Sequence, residues 1–378
     1  MDFFSFNLEK ILHYDNKWCK KMGYFNPFID PFKYHFTSKL PTLDKRAYDR
    51  YPEHNWIYDK LAIAKMQGIQ CGELEELKKR KLNDIDYPIF IKPRWGHKSA
   101  SSKNCYKIKN RDELNKYFIL NEMMWSEFID KCEGMTDFIL LNGKIMHQVT
   151  YRYSDIQNGF SDVWKYISPE NKPPIKIVQW VQSNMSGYTG CLNVQYRGDI
   201  IIEVGLRLAR GGAYIISTEN KALIQNINNI ITNGTWDYSI ENEMYFKPFY
   251  SFKCFTNAPI IYLFPQKILD FFVNKYGVKP FYEYYFEPVG KDGMVFFQFL
   301  HDDFKKGVQL KNDFELAFSI LQYIFIGLAA GITYLLITNF NYGLILLIVF
   351  LLLLMTRYLN PICINQNLYK VQKNLKNV

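Results

Sequence analysis

With 378 residues, 48% of them hydrophobic and 17% aromatic, the chain is large enough for two domains and too apolar to be a disordered polymer. Its formal charge of +9 is spread without a long basic run, which disfavours a nucleic-acid duplex and points to phosphate groups or an anionic lipid surface. The seven cysteines are scattered with no C-x-x-C pair, excluding a disulfide framework or a cysteine zinc site, and the early acid of MDFFSFNLEK makes a poor signal peptide.

Residues 1 to 50 are rich in aromatics, Pro and Lys without clear periodicity, and either cap the following domain or lie on a membrane. A helix is expected from Asn55 to Gln67, ended by Gly68 and containing Asp59 and Lys60. YPIFIKP, Tyr87 to Pro93, reads as a short strand ending in Lys92. The loop after it, Arg94 to Asn104, carries basic side chains and serines. Backbone N–H groups, hydroxyls and cations of this kind suit phosphate oxygens, although the single glycine, Gly96, rules out a Walker pattern. The strand Cys105 to Ile108 precedes a helix opened by Asn110, with Glu113 at capping-box spacing.

Met124 to Ile129 reads as a strand, and Phe138 to Leu141 with Lys144 to Arg152 forms a hairpin about Asn142-Gly143. Glu127, Asp130, Glu133 and Asp137 cluster there. Four acids near a strand edge are either solvated or bind sugar hydroxyls or metal; turn formation and strand-edge solvation account for Asp130 and Asp137, while His97 and His147 lack metal-ligand spacing. An irregular stretch with Pro173 and Pro174 leads to CLNVQYRGDIIIEVGLRLARGG, Cys191 to Gly212, a hairpin turning at Gly198-Asp199. Period two puts Glu203, Gly205 and Arg207 on one face, with Ile200, Ile202 and Val204 on the other. A loop of odd length sets Asn193 opposite Glu203, with Gln195 two residues along on the same face; an even loop does not. Helices are expected at Lys221 to Thr232 and Gln266 to Tyr276, and strands at Phe281 to Phe286 and Met294 to Leu300. Hairpins interspersed with helices make the class α+β.

From Leu316 to Thr356, 41 residues pass without a charged side chain, where one membrane span needs about 20. Asn339 and Asn341 divide the run into helices expected at Leu316 to Thr338 and Tyr342 to Leu359. A hairpin returns both flanks to one side. Lys305, Lys306 and Lys311 before it, with Arg357, Lys370, Lys373 and Lys376 after it, make that side cytoplasmic. Gly327 and Gly331 have the GxxxG spacing that lets helices approach. A buried helical hairpin of a soluble core is the alternative.

Taken together, the motifs from Asp59 to Gly212 resemble the ATP-grasp superfamily. Asp59-Lys60 opens a helix that ends in Gly68-Ile69. Pro88, Lys92 and Pro93 follow P-x-x-x-K-P, with the phosphate loop behind. Glu127-Phe128-Ile129-Asp130, Glu133 and Asp137 have the spacing of E-F-I-E-G-x-E-x-x-x-D. Asn193, Gln195, Glu203, Arg207, Gly211 and Gly212 follow N-x-Q and E-x-N-x-R with trailing glycines.

The resemblance implies a two-subdomain ATP-grasp-like fold and ATP with Mg2+ as cofactors. Glu127, Phe128 and Ile129 would meet adenine and Glu133 the ribose. Lys60 and Lys92 would neutralise phosphates, under a loop of Gly96, Ser99, Ser101 and Ser102. Glu203 and Gln195 would hold magnesium, while Arg207, aided by Lys92 and Arg152, would stabilise γ-phosphoryl transfer to a carboxylate. An amine or thiol would then attack the acyl phosphate, making the chain an ATP-dependent ligase of a small carboxylate and amine pair. Departures from the pattern are Gly205 in place of Asn, Gln195 in place of an acid, a glycine-poor loop, and an N-terminal subdomain abbreviated to residues 1 to 58.

The expected organisation is an N-terminal segment (1–54), an ATP-grasp-like domain (55–234), an accessory α+β region (235–313), a transmembrane hairpin (314–359) and a basic cytoplasmic tail (360–378). The globular part is expected in the cytoplasm, with the lipid bilayer as partner, no specific nucleic acid, and a hairpin surface available to a second copy. The alternative reading is a catalytically weak or inactive ATP-grasp-like nucleotide-binding membrane scaffold. For Glu203 and Arg207 the plain alternative is a structural salt bridge on a sheet.

Overall fold

The computed structural model describes residues 36–37, 39–41, 43–79, 85–98, 104–155, 157–158, 161–209, 214–215, 218, 220–256, 274–280 and 294–359. In chain order the elements are α1 (Asp44–Arg50), α2 (Lys60–Met66), β1 (Cys71–Glu73), α3 (Leu74–Lys79), β2 (Ile89–Pro93), β3 (Tyr106–Ile108), α4 (Arg111–Asn115), β4 (Met123–Glu127), β5 (Glu133–Leu141) and β6 (Lys144–Tyr153). The next are β7 (Gln157–Asn158), β8 (Ser161–Asp162), β9 (Trp164–Ser168), α5 (Ile175–Asn184), β10 (Gly190–Arg197), β11 (Ile200–Gly205) and α6 (Lys221–Asn233). Last come β12 (Phe249–Thr256), β13 (Lys279–Pro280), β14 (Met294–His301), α7 (Phe304–Thr338) and α8 (Phe340–Leu359). They divide into two compact units, one from Phe36–Asp155 with Lys165–Pro248, the other including Ile156–Trp164 and the chain from Phe249 onward. The first unit therefore begins before residue 55 and ends beyond residue 234.

Two antiparallel sheets build the first unit. The smaller has the order β1-β4-β2-β3. Alternation along β2 buries Ile89 and Ile91 in an apolar core with Leu77, Ile108, Leu114 and Trp125, leaving Phe90 and Lys92 on the opposite face. The larger runs β11-β10-β5-β6-β9 within this unit. One of its faces carries Phe138, Val194, Tyr196 and Val204 into a core closed by Ile57, Ile63 and the buried face of α5. The prolines read as part of an irregular stretch in fact start α5, with Pro174 at its N-cap, where a missing N–H costs nothing. The Asn142-Gly143 turn has positive φ at both residues, as a two-residue hairpin connection requires.

The helix expected from Asn55 is divided. Asn55–Tyr58 is a 3-10 turn, and α2 begins at Lys60, because the Asp59 carboxylate accepts from the Leu61 and Ala62 N–H groups. Residues 44 to 50, read without periodicity, form α1. Its Ala47 is fully buried in the larger core, so this part of the N-terminal segment caps the domain.

Asp137 corrects the strand-edge reading. It is 1% exposed and accepts hydrogen bonds from Asn193 Nδ2 (2.9 Å), Tyr151 Oη (2.8 Å) and the Ala209 N–H (2.9 Å). It thereby fastens β10, β6 and the segment after β11 to one point.

In the second unit β12 and β13 flank β14. Phe252, Phe297, Phe299, Leu310 and Phe314 form its core, so the first turns of α7 lie on this sheet. The helix starts at Phe304 rather than Leu316, capped by the Asp303 carboxylate at the Lys306 N–H (3.0 Å). Gly307 sits against the buried Phe252 ring, where no Cβ fits. Beyond Phe318 the character changes, and Ile320, Tyr323, Ile324, Ile326 and Leu328 are exposed.

Among the described residues, Phe304–Thr338 is long and apolar enough to cross a membrane, and the apolar Phe340–Leu351 is shorter. The helices α7 and α8 meet backbone to backbone where Gly343 faces Leu336. Among the described residues, none lies within 4 Å of where a Cβ on Gly327 or Gly331 would stand. The helix and strand expected at 266–276 and 281–286 lie wholly or mostly outside the described residues.

Two outcomes follow. Burial raises the Asp137 pKa from 3.8 to about 6, more than its hydrogen bonds lower it. An acid with a raised folded pKa contributes most stability below pH 3.8 and loses it as pH rises through 6. At 1.36 kcal/mol per pH unit, that is roughly 3 kcal/mol. Denaturant titrations of wild type and Asp137→Asn should show the stability difference shifting against wild type between pH 4 and 7; a flat difference would contradict it. Separately, Gly307→Ala should destabilise the second unit by about 1–3 kcal/mol through overpacking, seen as a lower midpoint in its thermal unfolding.

Candidate nucleotide site

The site is assembled by one irregularity in the hairpin of β10 and β11. Its tip is a two-residue turn, pairing Arg197 with Ile200 and Tyr196 with Ile201, and then the register shifts so that Gln195 faces Glu203 and Asn193 faces Gly205. Ile202 is the extra residue. The bulge therefore supplies the odd parity that the turn lacks. Asn193, Gln195, Glu203 and Gly205 share one face with Met135 and Asp137 of β5.

The same bulge frees a carbonyl. Lys92 Nζ donates to Ile202 O at 2.8 Å, tying the end of β2 to β11. One residue before the bulge, the Gln67 carboxamide accepts from Ile201 N (2.7 Å) and donates to Ile201 O (2.9 Å), mimicking another strand at the sheet edge. Lys60, 4% exposed, places Nζ 3.2 Å from Glu203 Oε2. A Cβ on Gly96 would lie 3.6 Å from Glu203 Oε1 and 3.5 Å from Lys60 Cε. Lys60, Lys92, Glu203 and Gly96 of the loop after β2 thus come together. Ser99, Ser101 and Ser102 lie outside the described residues.

Arg94, read only as a basic loop residue, holds this arrangement. Its guanidinium donates to both Asp59 oxygens and to Glu73 Oε1 (2.6 Å), and its carbonyl accepts from the Lys60 N–H (3.0 Å). The paired geometry fixes the start of α2 against the end of β2, and with it both lysines. Burial and the neighbouring Lys60 charge lower the Lys92 pKa to about 8, against an upward pull from Glu203. Lys92 therefore keeps its proton at neutral pH but gives it up more readily than an ordinary lysine when no anion is bound.

Arg207 follows β11. It donates to Leu208 O (3.0 Å) and to Asp44 Oδ2 (2.6 Å) on α1. Burial works against its charge, but Asp44, Tyr58 and Glu203 raise its pKa beyond the ordinary value. Arg152 is not brought to this group. It is exposed and pairs with Gly134 in the register that carries Thr136, Thr150 and Tyr196, so it stands on the opposite face from Glu203. The extra residue at the bulge does not reach β6, and the plain alternation there decides the face.

At the other end, Glu127 is exposed and its N–H donates to Gln70 O (2.8 Å), while the Phe128 N–H donates to Pro88 O (3.2 Å). These groups hold the segment in place, and their N–H groups already have partners. Ile129 O accepts weakly from Arg197 (3.5 Å), and Glu133 pairs with Arg197 at 2.9 Å. The Phe128 ring, beside Phe90, lies under Lys107 Nζ at 3.7 Å.

Among the described residues no group of three His, Cys, Asp or Glu could hold a metal ion. Glu203 and the Gln195 carboxamide are oxygen donors on one face, which fits magnesium arriving with nucleotide phosphates rather than a preformed cage. Asp44, Tyr58, Gln67 and Arg94 were missed as parts of the site. Arg94 follows directly on Lys92-Pro93, whereas nothing in the sequence signals the other three.

No family model matches the chain, and no curated protein matches it. Among solved structures, carboxyaminoimidazole ribonucleotide synthase from Aspergillus clavatus, complexed with ATP, is similar over 71% of this chain and 78% of its own, at 11% identity and a TM-score of 0.53. L-amino acid ligase from Bacillus licheniformis (15% identity, 67% of this chain and 68% of that one, TM-score 0.46) and phosphoribosylamine–glycine ligase from Thermotoga maritima (14%, 68% and 76%, 0.46) are further neighbours. At these identities the likeness speaks for the fold alone: the chain is an α+β protein with the ATP-grasp fold.

Proposed function

We propose that the protein is a membrane-anchored ATP-dependent ligase that activates a carboxylate as an acyl phosphate for attack by an amine or thiol. The observation that carries this reading is the convergence of Lys60, Lys92 and Gly96 on Glu203. Two cations beside a carboxylate at the mouth of a polar loop form a site for a metal-bound polyphosphate, in which Lys60 and Lys92 exchange protein oxygens for phosphate oxygens. Glu203 and Gln195 would hold magnesium, which would neutralise charge on the phosphates when bound. Phe128, Ile129 and Glu133 line the nucleoside end.

Arg207 faces the transferring group. A carboxylate oxygen bonds to the γ-phosphorus as the bond to the β,γ-bridging oxygen breaks, releasing ADP. The amine nitrogen then bonds to the acyl carbon, phosphate leaves with the electron pair of the C–O bond, and the nitrogen loses a proton to solvent. Lys60, Lys92 and Arg207 act by holding positive charge where negative charge gathers, so no proton transfer is asked of them.

The anchor is the α7–α8 hairpin, whose exposed apolar residues suit a lipid bilayer. Lysines on the flanks put the globular part in the cytoplasm. A second reading, a nucleotide-binding scaffold without turnover, is favoured by Gly205 and Gln195, which leave Glu203 as the one carboxylate of the β10–β11 face beside the lysines.

Purified full-length protein should bind MgADP, and Lys92→Ala should weaken binding by about 10–100-fold, since a charge-assisted contact is worth 1.5–3 kcal/mol. Formation of ADP and phosphate with pools of carboxylates and amines identifies a ligase. Binding without turnover identifies a scaffold, and absence of binding removes both. Because the protonated lysine attracts phosphate and its pKa is about 8, nucleotide affinity should decline as pH rises above 8 in wild type but not in Lys92→Met. Topology is read from the acceptor Asn233-Gly234-Thr235, whose Asn233 is exposed at the end of α6. In a eukaryotic secretory membrane it should remain unglycosylated; glycosylation there would place this domain on the other side.

A further inference from the structure

A helix from outside the motif-bearing region reaches the site. Asp44 and Tyr48, one turn apart on α1, lie on the same side of it. Tyr48 stacks on His97 at a centroid distance of 3.8 Å, just after Gly96. Asp44 enters the space beside β11. Its Oδ1 would lie 3.1 Å from a Cβ on Gly205, its Oδ2 accepts from Arg207 at 2.6 Å, and its Oδ1 accepts from Tyr58 Oη at 3.2 Å. Tyr58 Oη in turn accepts from the Leu206 N–H at 3.0 Å. The pair is sheltered, with Arg207 19% and Asp44 21% exposed.

We infer that Asp44 is the positioning residue of Arg207, and that Gly205 is glycine so that this carboxylate can stand where a side chain from β11 would otherwise project. The inference rests on the proposed nucleotide site. It also gives α1 a role beyond capping. The carboxylate fixes one edge of the guanidinium and the Leu208 carbonyl another, so the remaining N–H groups have a set direction before any anion arrives. A residue at position 205 with a longer side chain would collide with Asp44, which makes the two positions interdependent.

The two roles open to Asp44 predict opposite signs. If it only neutralised Arg207, its removal would strengthen binding of the more anionic nucleotide. If it positions Arg207 for the terminal phosphoryl group, its removal weakens that binding selectively. The experiment measures the affinities of full-length protein in detergent for MgADP and for a magnesium complex of a non-hydrolysable ATP analogue, in wild type, Asp44→Ala, Asp44→Asn, Gly205→Asp and Asp44→Ala/Gly205→Asp, with melting temperatures beside them.

Positioning predicts that Asp44→Ala lowers the preference for the triphosphate over ADP by about tenfold, the effect of losing one oriented charged contact. The double variant should recover most of the loss, because the carboxylate then comes from β11 in the same space. Gly205→Asp alone should not show wild-type preference. An unchanged or increased preference in Asp44→Ala, or failure of the double variant to recover while it melts like wild type, overturns the inference and leaves the nucleotide site standing. Absence of any nucleotide binding in wild type overturns both.

Discussion

Everything in the proposed site depends on one extra residue, Ile202, in the edge strand of a hairpin. Without it, the two-residue turn would send Gln195 and Glu203 to opposite faces, since side chains alternate strictly along a strand. With it, Glu203 joins Gln195 on the face towards Lys60, and the carbonyl of the bulged residue becomes the acceptor for Lys92. The same irregularity places the carboxylate and seats one of the cations.

Around that point the two sheets are fastened by polar contacts beside a small apolar cluster, in which Leu61 and Ala64 of α2 pack with Met124 of β4 and with Ile200 of β11. Arg94 clamps Asp59, Asp59 caps α2, and α2 carries Lys60 at its first position and Gln67 at its end. Gln67 grips Ile201 beside the bulge. These contacts are partly exposed to solvent, and together they hold the backbone from which the lysines hang. Asp137 plays the equivalent part beneath the larger sheet, where three donors converge on a carboxylate almost without solvent contact.

The second unit differs in its physics. There α7 begins as a helix with one apolar face, packed on an aromatic sheet through Leu310 and Phe314, and continues as a helix that is apolar all round. A single continuous element thus joins a folded core to a surface suited to lipid, with no flexible linker between them.

The hairpin about Asn142-Gly143, the Asn110 cap and the apolar C-terminal run were legible in the sequence, because local propensity and periodicity act through near neighbours. So was the likeness in fold, carried by Lys60, Lys92, Glu127, Glu203 and Arg207 at family-like spacing. What the tertiary structure alone decided was which side chains share a face and which distant residues complete the group. Arg152 fell on the far face because strand parity is set by turns and bulges together. Asp137 turned from an edge acid into a buried hub because its three partners come from separate segments. Asp44 found Arg207 across a sequence separation of 163 residues, in space left by a glycine, and no local pattern encodes a contact of that kind.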